Sequence, residues 1–258
     1  MYEEIEDSWT VDSGAYDDII QKQLSNRRDV EHWEKELEEI LGKKPLRVLD
    51  IGCGPGFLTI ILSRLGHSVK AIDGSAGMVE KAVRNIQKEE IAACVSREDA
   101  VTLPDEENSS YDVLISRDVI WTLYNPEKAF LRWKEVLKPG GRLIYYDGAF
   151  RDYKASRRLR IWKKAAARLI YLTEQKKYRE DVDRPTGAFE NLPFFGADRP
   201  QTDCSILKNC GFDNILVSDD AFRNSPFQLD YWKYGYMGRY FRLVATRAEE
   251  KEKTSFVS

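Results

Sequence analysis

Apolar positions along the first 150 residues switch repeatedly between two periods. Helical spacing comes first, over Ala15 to Leu24 and over Asp29 to Leu41. In the second stretch Val30, Trp33, Leu37 and Ile40 share one face and glutamates fill the other. Gly42 stops that helix, and Lys43-Lys44-Pro45 leads into an apolar run from Leu46 to Ile51 that reads as a buried strand. A glycine loop at 52–56 precedes an apolar helix pattern from Phe57 to Leu65, closed by Gly66. Ser68 to Ile72 predicts a strand ending on Asp73. Ser75 then caps a helix whose one face carries Met78, Val79, Ala82, Val83 and Ile86. A weaker strand follows over Ala92 to Val95, and a stronger one within Tyr111 to Arg117, at Val113 to Ile115. Asn125-Pro126 opens a helix with proline at its first position. Its apolar face is Ala129, Phe130, Trp133, Val136 and Leu137; Lys138-Pro139-Gly140-Gly141 ends it, and Leu143 to Tyr146 is the next strand. Strands alternating with helices of this length mean βαβ units and a parallel sheet covered on both faces.

After Asp147 the alternation breaks. A basic stretch over about 152–178 predicts a helix with an apolar stripe of Leu159, Trp162, Ala166, Leu169 and Leu172. An irregular segment from Arg184 to Pro200 follows, rich in Pro, Gly and Phe. A short helix from Thr202 to Cys210, a strand at Ile215 to Val217 and a closing strand at Phe241 to Thr246 restore the pattern.

Composition narrows the class. The 258 residues are 42% hydrophobic and 32% charged, which excludes a collagenous or wholly disordered chain. No window approaches the roughly 18 apolar residues of a membrane span. The N-terminus shows no basic and apolar leader pattern, so a cytoplasmic location is expected. Four cysteines without metal spacing read as thiols in a reducing compartment, and two histidines make no metal centre; no metal is expected. A net charge of −3 offers no global field for nucleic acid. The charge is unevenly placed: residues 1–40 hold 13 acidic and 4 basic side chains, residues 151–180 hold 3 acidic and 11 basic, and the two segments could attract each other. The spread of cations around the second predicts a solvated face, not a stripe on RNA.

The chemistry concentrates in Val48-Leu-Asp-Ile-Gly-Cys-Gly-Pro-Gly56. A strand ends in an acidic residue, glycines let the backbone turn tightly, and the unpaired N–H groups of the next helix face the same point. The dinucleotide pattern G-x-G-x-x-G needs glycine where Phe57 stands, and Asp50 would repel a pyrophosphate. The spacing suits a ligand with an ammonium group and a ribose.

At these residues the chain resembles the class I S-adenosylmethionine-dependent methyltransferases, in particular the small-molecule "type 11" group that includes ubiquinone and menaquinone methyltransferases. The hallmark D-x-G-x-G-x-G stands at Asp50 to Gly56. The acidic residue closing the second strand is Asp73, in Ala-Ile-Asp-Gly-Ser-Ala-Gly-Met. An acidic residue, a small one and Leu-Pro match Asp99, Ala100 and Leu103-Pro104, and the Leu-Lys-Pro-Gly-Gly turn lies at 137–141. The resemblance covers 46–147 strongly and implies an α/β fold: a Rossmann-like, mostly parallel seven-stranded sheet with helices on both faces. Within a single domain it implies an N-terminal helical cover (1–44), a cofactor-binding core (45–147), a lid insertion (148–200), the end of the sheet (201–247) and a frayed tail (248–258).

It also implies the cofactor, S-adenosyl-L-methionine, with S-adenosyl-L-homocysteine as product, and a small-molecule substrate. The candidate cofactor residues are Tyr16, Asp50, Gly52, Gly54, Asp73, Gly74, Met78, Asp99, Ala100 and Arg117. Asp50 favours the α-ammonium, Asp73 accepts from both ribose hydroxyls, and Asp99 and the Ala100 N–H face the adenine edge. Met78 presses on the ring with a soft side chain, though it also lies on its helix's apolar face. Arg117 takes the cofactor carboxylate or an acidic substrate. Tyr16, with Trp9, closes over the cofactor or packs the N-terminal helix on the sheet. Asp118 is the candidate base, at the position where the family places residues near the methyl. The Asn/Asp-Pro-Pro-aromatic motif of base-amino methyltransferases is missing from Ser116 to Tyr124, which counts against nucleic-acid amines. Three other functions stay open: a catalytically silent binding subunit, an RNA methyltransferase and an NAD-dependent oxidoreductase. Neither the acceptor atom nor the oligomeric state can be read from the sequence.

Overall fold

From Arg47 onward strand and helix alternate as the periodicity predicts. A computed structural model describes residues 2–150, 156–173, 189 and 191–249. Two helices, α1 (Tyr2–Ser25) and α2 (Arg27–Leu41), precede β1 (Arg47–Ile51), α3 (Phe57–Arg64), β2 (Ser68–Asp73) and α4 (Ala76–Lys88). Then come β3 (Cys94–Arg97), β4 (Tyr111–Arg117), a 3₁₀ turn (Ile120–Thr122), α5 (Pro126–Val136) and β5 (Leu137–Phe150). The chain continues through α6 (Arg157–Thr173), α7 (Gln201–Asn209), β6 (Phe212–Asp219), α8 (Leu229–Tyr234) and β7 (Gly238–Arg247).

The seven strands form one sheet in the order β3-β2-β1-β4-β5-β7-β6. All neighbours pair in parallel except β7, which runs against both β5 and β6. The expected α/β architecture, seven-stranded and mostly parallel, is therefore present. After β1 the chain builds outward through β2 and β3, then returns to place β4 on the other side of β1. Open sheets bind ligands at such a reversal, beyond the carboxyl ends of the strands.

Alternate residues of the central strands face opposite layers. Leu49, Ile51, Leu114 and Leu143 join Phe130, Trp133, Leu207 and Phe241 on one side. Val48, Val113, Ile115 and Ile144 join Trp33, Leu37, Phe57 and Leu62 on the other. Both layers exclude water almost completely, as a parallel sheet requires.

Several boundaries differ from the expectation for physical reasons. Helix α1 starts at Tyr2, not near Ala15, because part of its inward face is polar: Glu6, Ser13 and Asp17 are buried beside Ile5 and Ile20. β5 runs from Leu137 to Phe150, so the Pro-Gly-Gly turn continues into the strand and the first three residues of the expected lid belong to the sheet. β3 is shifted to Cys94–Arg97. In α6 the buried positions are Ala166 and Ile170, and Leu172 is exposed. The acidic carboxylates of α1 do not wait for the basic segment: Glu6 pairs with Arg97 at 3.0 Å and Asp17 with Arg84. Of the expected lid, residues 151–155, 174–188 and 190 lie outside the described residues. Near its end Phe194 sits in the main core, and Arg199 is buried between Asp147 and Asp203.

Candidate functional site

Beyond the carboxyl ends of β1, β2 and β4 lies a cavity of about 160 Å³, roofed by α1. The backbone builds its floor first. Gly52 turns with φ +69°, and a Cβ there would run into the Val119 side chain, so β1 and the loop after β4 approach at a spacing only glycine allows. Gly54 also has positive φ, and a Cβ on it would meet nothing within 4 Å: the loop presents bare backbone at the cavity wall. Gly56, left-handed, starts α3. The Gly52 and Cys53 amides are consumed by the Ile72 carbonyl, at 2.8 and 2.9 Å, which clamps the loop to β2.

Five carboxylates line the cavity, four of them around this floor and Asp118 after β4. Asp50 is buried at the end of β1 and accepts a 2.6 Å hydrogen bond from the Thr59 hydroxyl; burial pushes its pKa up to about 6. Asp73 is half-buried at the end of β2. One oxygen accepts the Gly54 N–H and the other the Ser75 N–H, both at 2.9 Å. Its pKa is also pushed up to about 6, chiefly by burial, with the Glu6 charge adding to it. A carboxylate offers about four acceptor sites, so each Asp73 oxygen keeps one. Two vicinal hydroxyls need that number.

Asp99 is more heavily engaged. It accepts from the Val101 N–H, the Thr102 hydroxyl and, at 2.7 Å, the Tyr124 hydroxyl, so it organises the turn after β3 as well as facing the cavity. The Ala100 carbonyl holds the Trp133 indole at 2.7 Å, which fixes the same turn. Met78, buried, lines the wall from the first turn of α4, where Ser75 caps its amide. The fourth carboxylate, Glu6, comes from α1 and was not anticipated. It stands in a polar stretch, distant from every motif, where no periodic or spacing signal marks it.

One cation balances them. Arg117, closing β4, lies over the rings of Phe57 and Trp33, at 4.6 and 5.3 Å, and donates to Gln23 at 3.2 Å. Burial lowers its pKa, and the Asp50 and Asp118 charges oppose that. Asp118 itself has φ +61°, left-handed for a residue with a side chain. Both its oxygens accept from Arg223 Nη1, at 2.7 and 2.9 Å, and Arg223 also holds Asp220. Tyr16 lines the cavity edge-on to Trp9 at 5.3 Å, and Trp9 continues into Trp121 and Phe189. The structure thus brings all ten candidate cofactor residues, with Asp118, around one cavity. His67, by contrast, is spent on the Leu46 amide.

Comparison with known proteins fits this geometry. Residues 49–145 match the family model described as a methyltransferase domain. An uncharacterized methyltransferase of Bacillus mycoides is 30% identical over 152 residues, which cover 58% of this chain and 68% of that protein. The chain belongs to the S-adenosylmethionine-dependent methyltransferases. Solved methyltransferases share the fold at lower identity. One from Aquifex aeolicus, described as S-adenosylmethionine-dependent, is 20% identical with a TM-score of 0.56, over 90% of this chain and 98% of that one. A Haemonchus contortus phosphoethanolamine N-methyltransferase, solved with S-adenosyl-L-methionine, is 20% identical with a TM-score of 0.57. That match spans 84% of this chain and 53% of the Haemonchus protein, so the shared part is about half of that longer protein.

The cavity suits the family's cofactor on its own evidence. Carboxylates outnumber the single arginine, a balance that favours a cationic sulfonium and an ammonium and disfavours phosphates. Asp73 keeps two acceptor sites for a diol. Among the described residues no group of His, Cys, Asp and Glu is arranged to hold a metal ion, and no helix is long and apolar enough to cross a membrane.

Proposed function

We propose that the methyltransferase transfers the methyl group of S-adenosyl-L-methionine to an O, N, S or C nucleophile of a small molecule by in-line displacement. The observation that carries this reading is the Asp73 carboxylate, pinned by two backbone amides with one acceptor site per oxygen left at the cavity wall. Asp50 and Arg117 supply opposite charges at the neighbouring strand ends, for an ammonium and a carboxylate. Gly54 offers backbone and Met78 a soft apolar face.

The sulfonium makes the methyl carbon electrophilic when the cofactor is bound. What remains for this chain is to hold two reactants in line and to exclude water, which is worth on the order of 7–11 kcal/mol when the alignment is good. α1 does the excluding: Ile5, Trp9, Tyr16 and Ile20 lie across the cavity. Phe189 stacks on Trp121, with ring centroids 5.6 Å apart, and extends the wall; we assign the segment that carries it, between β5 and α7, as the lid that selects the acceptor. A single cavity of this size, covered by a helix and walled in part by aromatic side chains, suits a small acceptor better than a duplex or a folded RNA.

Calorimetric titration with S-adenosyl-L-homocysteine tests the cofactor half of the reading. The wild type should bind and gain thermal stability by mass action, and Asp73→Ala should weaken binding by at least tenfold through loss of paired acceptors. Wild-type affinity in that variant would refute the ribose assignment. Product formation over a panel of metabolites separates an enzyme from a silent binding subunit.

A further inference from the structure

We infer that Glu6 of the N-terminal helix is itself a ligand-binding residue: its Oε1 accepts a hydrogen bond from a neutral O–H or N–H donor of the cofactor's adenosyl group, and so ties the roof to the cargo. This rests on the cofactor reading above.

Glu6 is 5% exposed and lines the cavity. Its Oε2 is accounted for by Arg97 Nη2 at 3.0 Å. Its Oε1 is buried and has no hydrogen-bond partner. The Tyr2 hydroxyl also hydrogen-bonds this carboxylate, and burial first and that bond second raise the tyrosine pKa. A buried charged acceptor left unpaired costs more than an ordinary hydrogen bond is worth, so such atoms persist where something supplies the donor.

The surroundings name the kind of donor. Oε1 would stand 2.5 Å from a Cβ at Gly74, so the residue after Asp73 must be glycine for the carboxylate to reach this position. Arg97 also donates to the Gly74 carbonyl at 2.9 Å, which holds loop and ion pair as one unit. Glu6 adds to the negative charge that raises the Asp73 pKa. Two neighbouring carboxylates repel any anion, and the cationic end of the ligand has Asp50. What fits between Asp73, Asp99 and Glu6 is an uncharged donor: a ribose hydroxyl or the adenine amine.

The consequence is a coupling of roof to ligand. Around Glu6, α1 is docked by polar contacts: Thr10 to Ser75 at 2.9 Å, Asp17 to Asn85 at 2.8 Å and the ion pairs to Arg84 and Arg97. A bound adenosyl group adds one more contact of the same kind, made only in the loaded state.

The experiment is titration of S-adenosyl-L-homocysteine into the full chain, wild type, Glu6→Gln and Arg97→Gln. Glu6→Gln keeps the shape but places a donor or a weak acceptor at the cavity; affinity should fall about tenfold or more. Arg97→Gln removes the ion pair and leaves Oε1, so its loss should be clearly smaller. The penalty of Glu6→Gln should vanish for one of three analogues, the 2′-deoxy, the 3′-deoxy or the 6-oxo purine form, and that analogue identifies the donor. Hydrogen exchange across 2–25 should slow when S-adenosyl-L-homocysteine is added to wild type, and slow less in Glu6→Gln. An unchanged affinity in Glu6→Gln, an equal loss in Arg97→Gln, or a penalty that persists across all three analogues would overturn the inference. Failure of the wild type to bind at all would instead count against the cofactor reading.

Discussion

At the scale of single residues, Asp118 shows how an environment decides a role. It follows β4 and borders the cavity, where a general base would be useful. Its carboxylate is nonetheless held by Arg223 through both oxygens, with Arg117 Nε 4.0 Å away. Both oxygens of this carboxylate are already engaged as acceptors from one guanidinium, the arrangement of a structural ion pair. Asp118→Asn should therefore lower the methyl-transfer rate by less than about a hundredfold at unchanged cofactor affinity, against the 10²–10⁴ typical of a positioned base. A larger drop, relieved as pH rises and the acceptor ionises unaided, would make Asp118 the base. Asp50, Asp73 and Asp99 were legible because each lies at or just past a strand's carboxyl end at motif spacing. The sequence did not reveal that Asp99 also holds Tyr124, nor that Arg223 comes from 105 positions away to engage Asp118. Glu6 was equally hidden, since a carboxylate becomes informative only when its partners are known.

At the scale of elements, the helices and strands of the core were legible and the roof was not. Core elements bury apolar side chains at a fixed period, so Val48 to Ile51 or Ala129 to Val136 announce themselves. Helix α1 is fastened by polar and glycine-mediated contacts that leave little periodic trace: its first 14 residues contain buried Glu6 and Ser13 beside exposed Val11. Gly77 is where this packing is tightest. A Cβ there would lie 2.7 Å from Ser13 Oγ and 3.0 Å from the Thr10 carbonyl. Alanine suits a helix better than glycine by up to about 1 kcal/mol, which favours α4, while the same methyl wedges α1 away from it. Because α1 adds only Ile20 and Leu24 to the layer of Trp33 and Phe57, and neither is at this contact, the two effects separate. Gly77→Ala should leave the melting temperature of the ligand-free protein within a few degrees of wild type and weaken S-adenosyl-L-homocysteine several-fold or more. Equal affinity in the two proteins would show that α1 docks without regard to this contact.

At the scale of the whole molecule, stability and ligand binding should respond to pH in opposite directions. Burial pushes Asp50, Asp73 and Asp147 each up to about 6, from 3.8 in the unfolded chain. Between those values the folded state binds more protons than the unfolded one, so stability falls as pH rises. The contribution is complete below about 4 and gone above about 6. Asp112, lowered mainly by Lys138 and the Arg47 amide against a burial effect that raises it, has the opposite sign, but its window lies below 4. His32 and His67, lowered by burial, also oppose the trend, since their contribution is lost as pH falls through 6.5 and below. With Glu98, which burial pushes up to about 7, four carboxylates favour the protonated folded state and outweigh the two histidines. The ligand-free melting temperature should accordingly decline between pH 5 and 7. The cofactor's donors need ionised acceptors, and Asp73 must shed its proton to present two of them. Affinity for S-adenosyl-L-homocysteine should then rise several-fold over the same interval and level off above about 7, so that ligand and pH act on one carboxylate from opposite sides. Asp73→Asn isolates the effect: it should flatten both curves, keeping a smaller stability slope from Asp50 and Asp147 and a weak, nearly pH-independent affinity. A wild-type affinity constant from pH 5 to 8, or an Asp73→Asn protein with the full wild-type slope, would show that the Asp73 carboxylate is not the acceptor through which the cofactor is held.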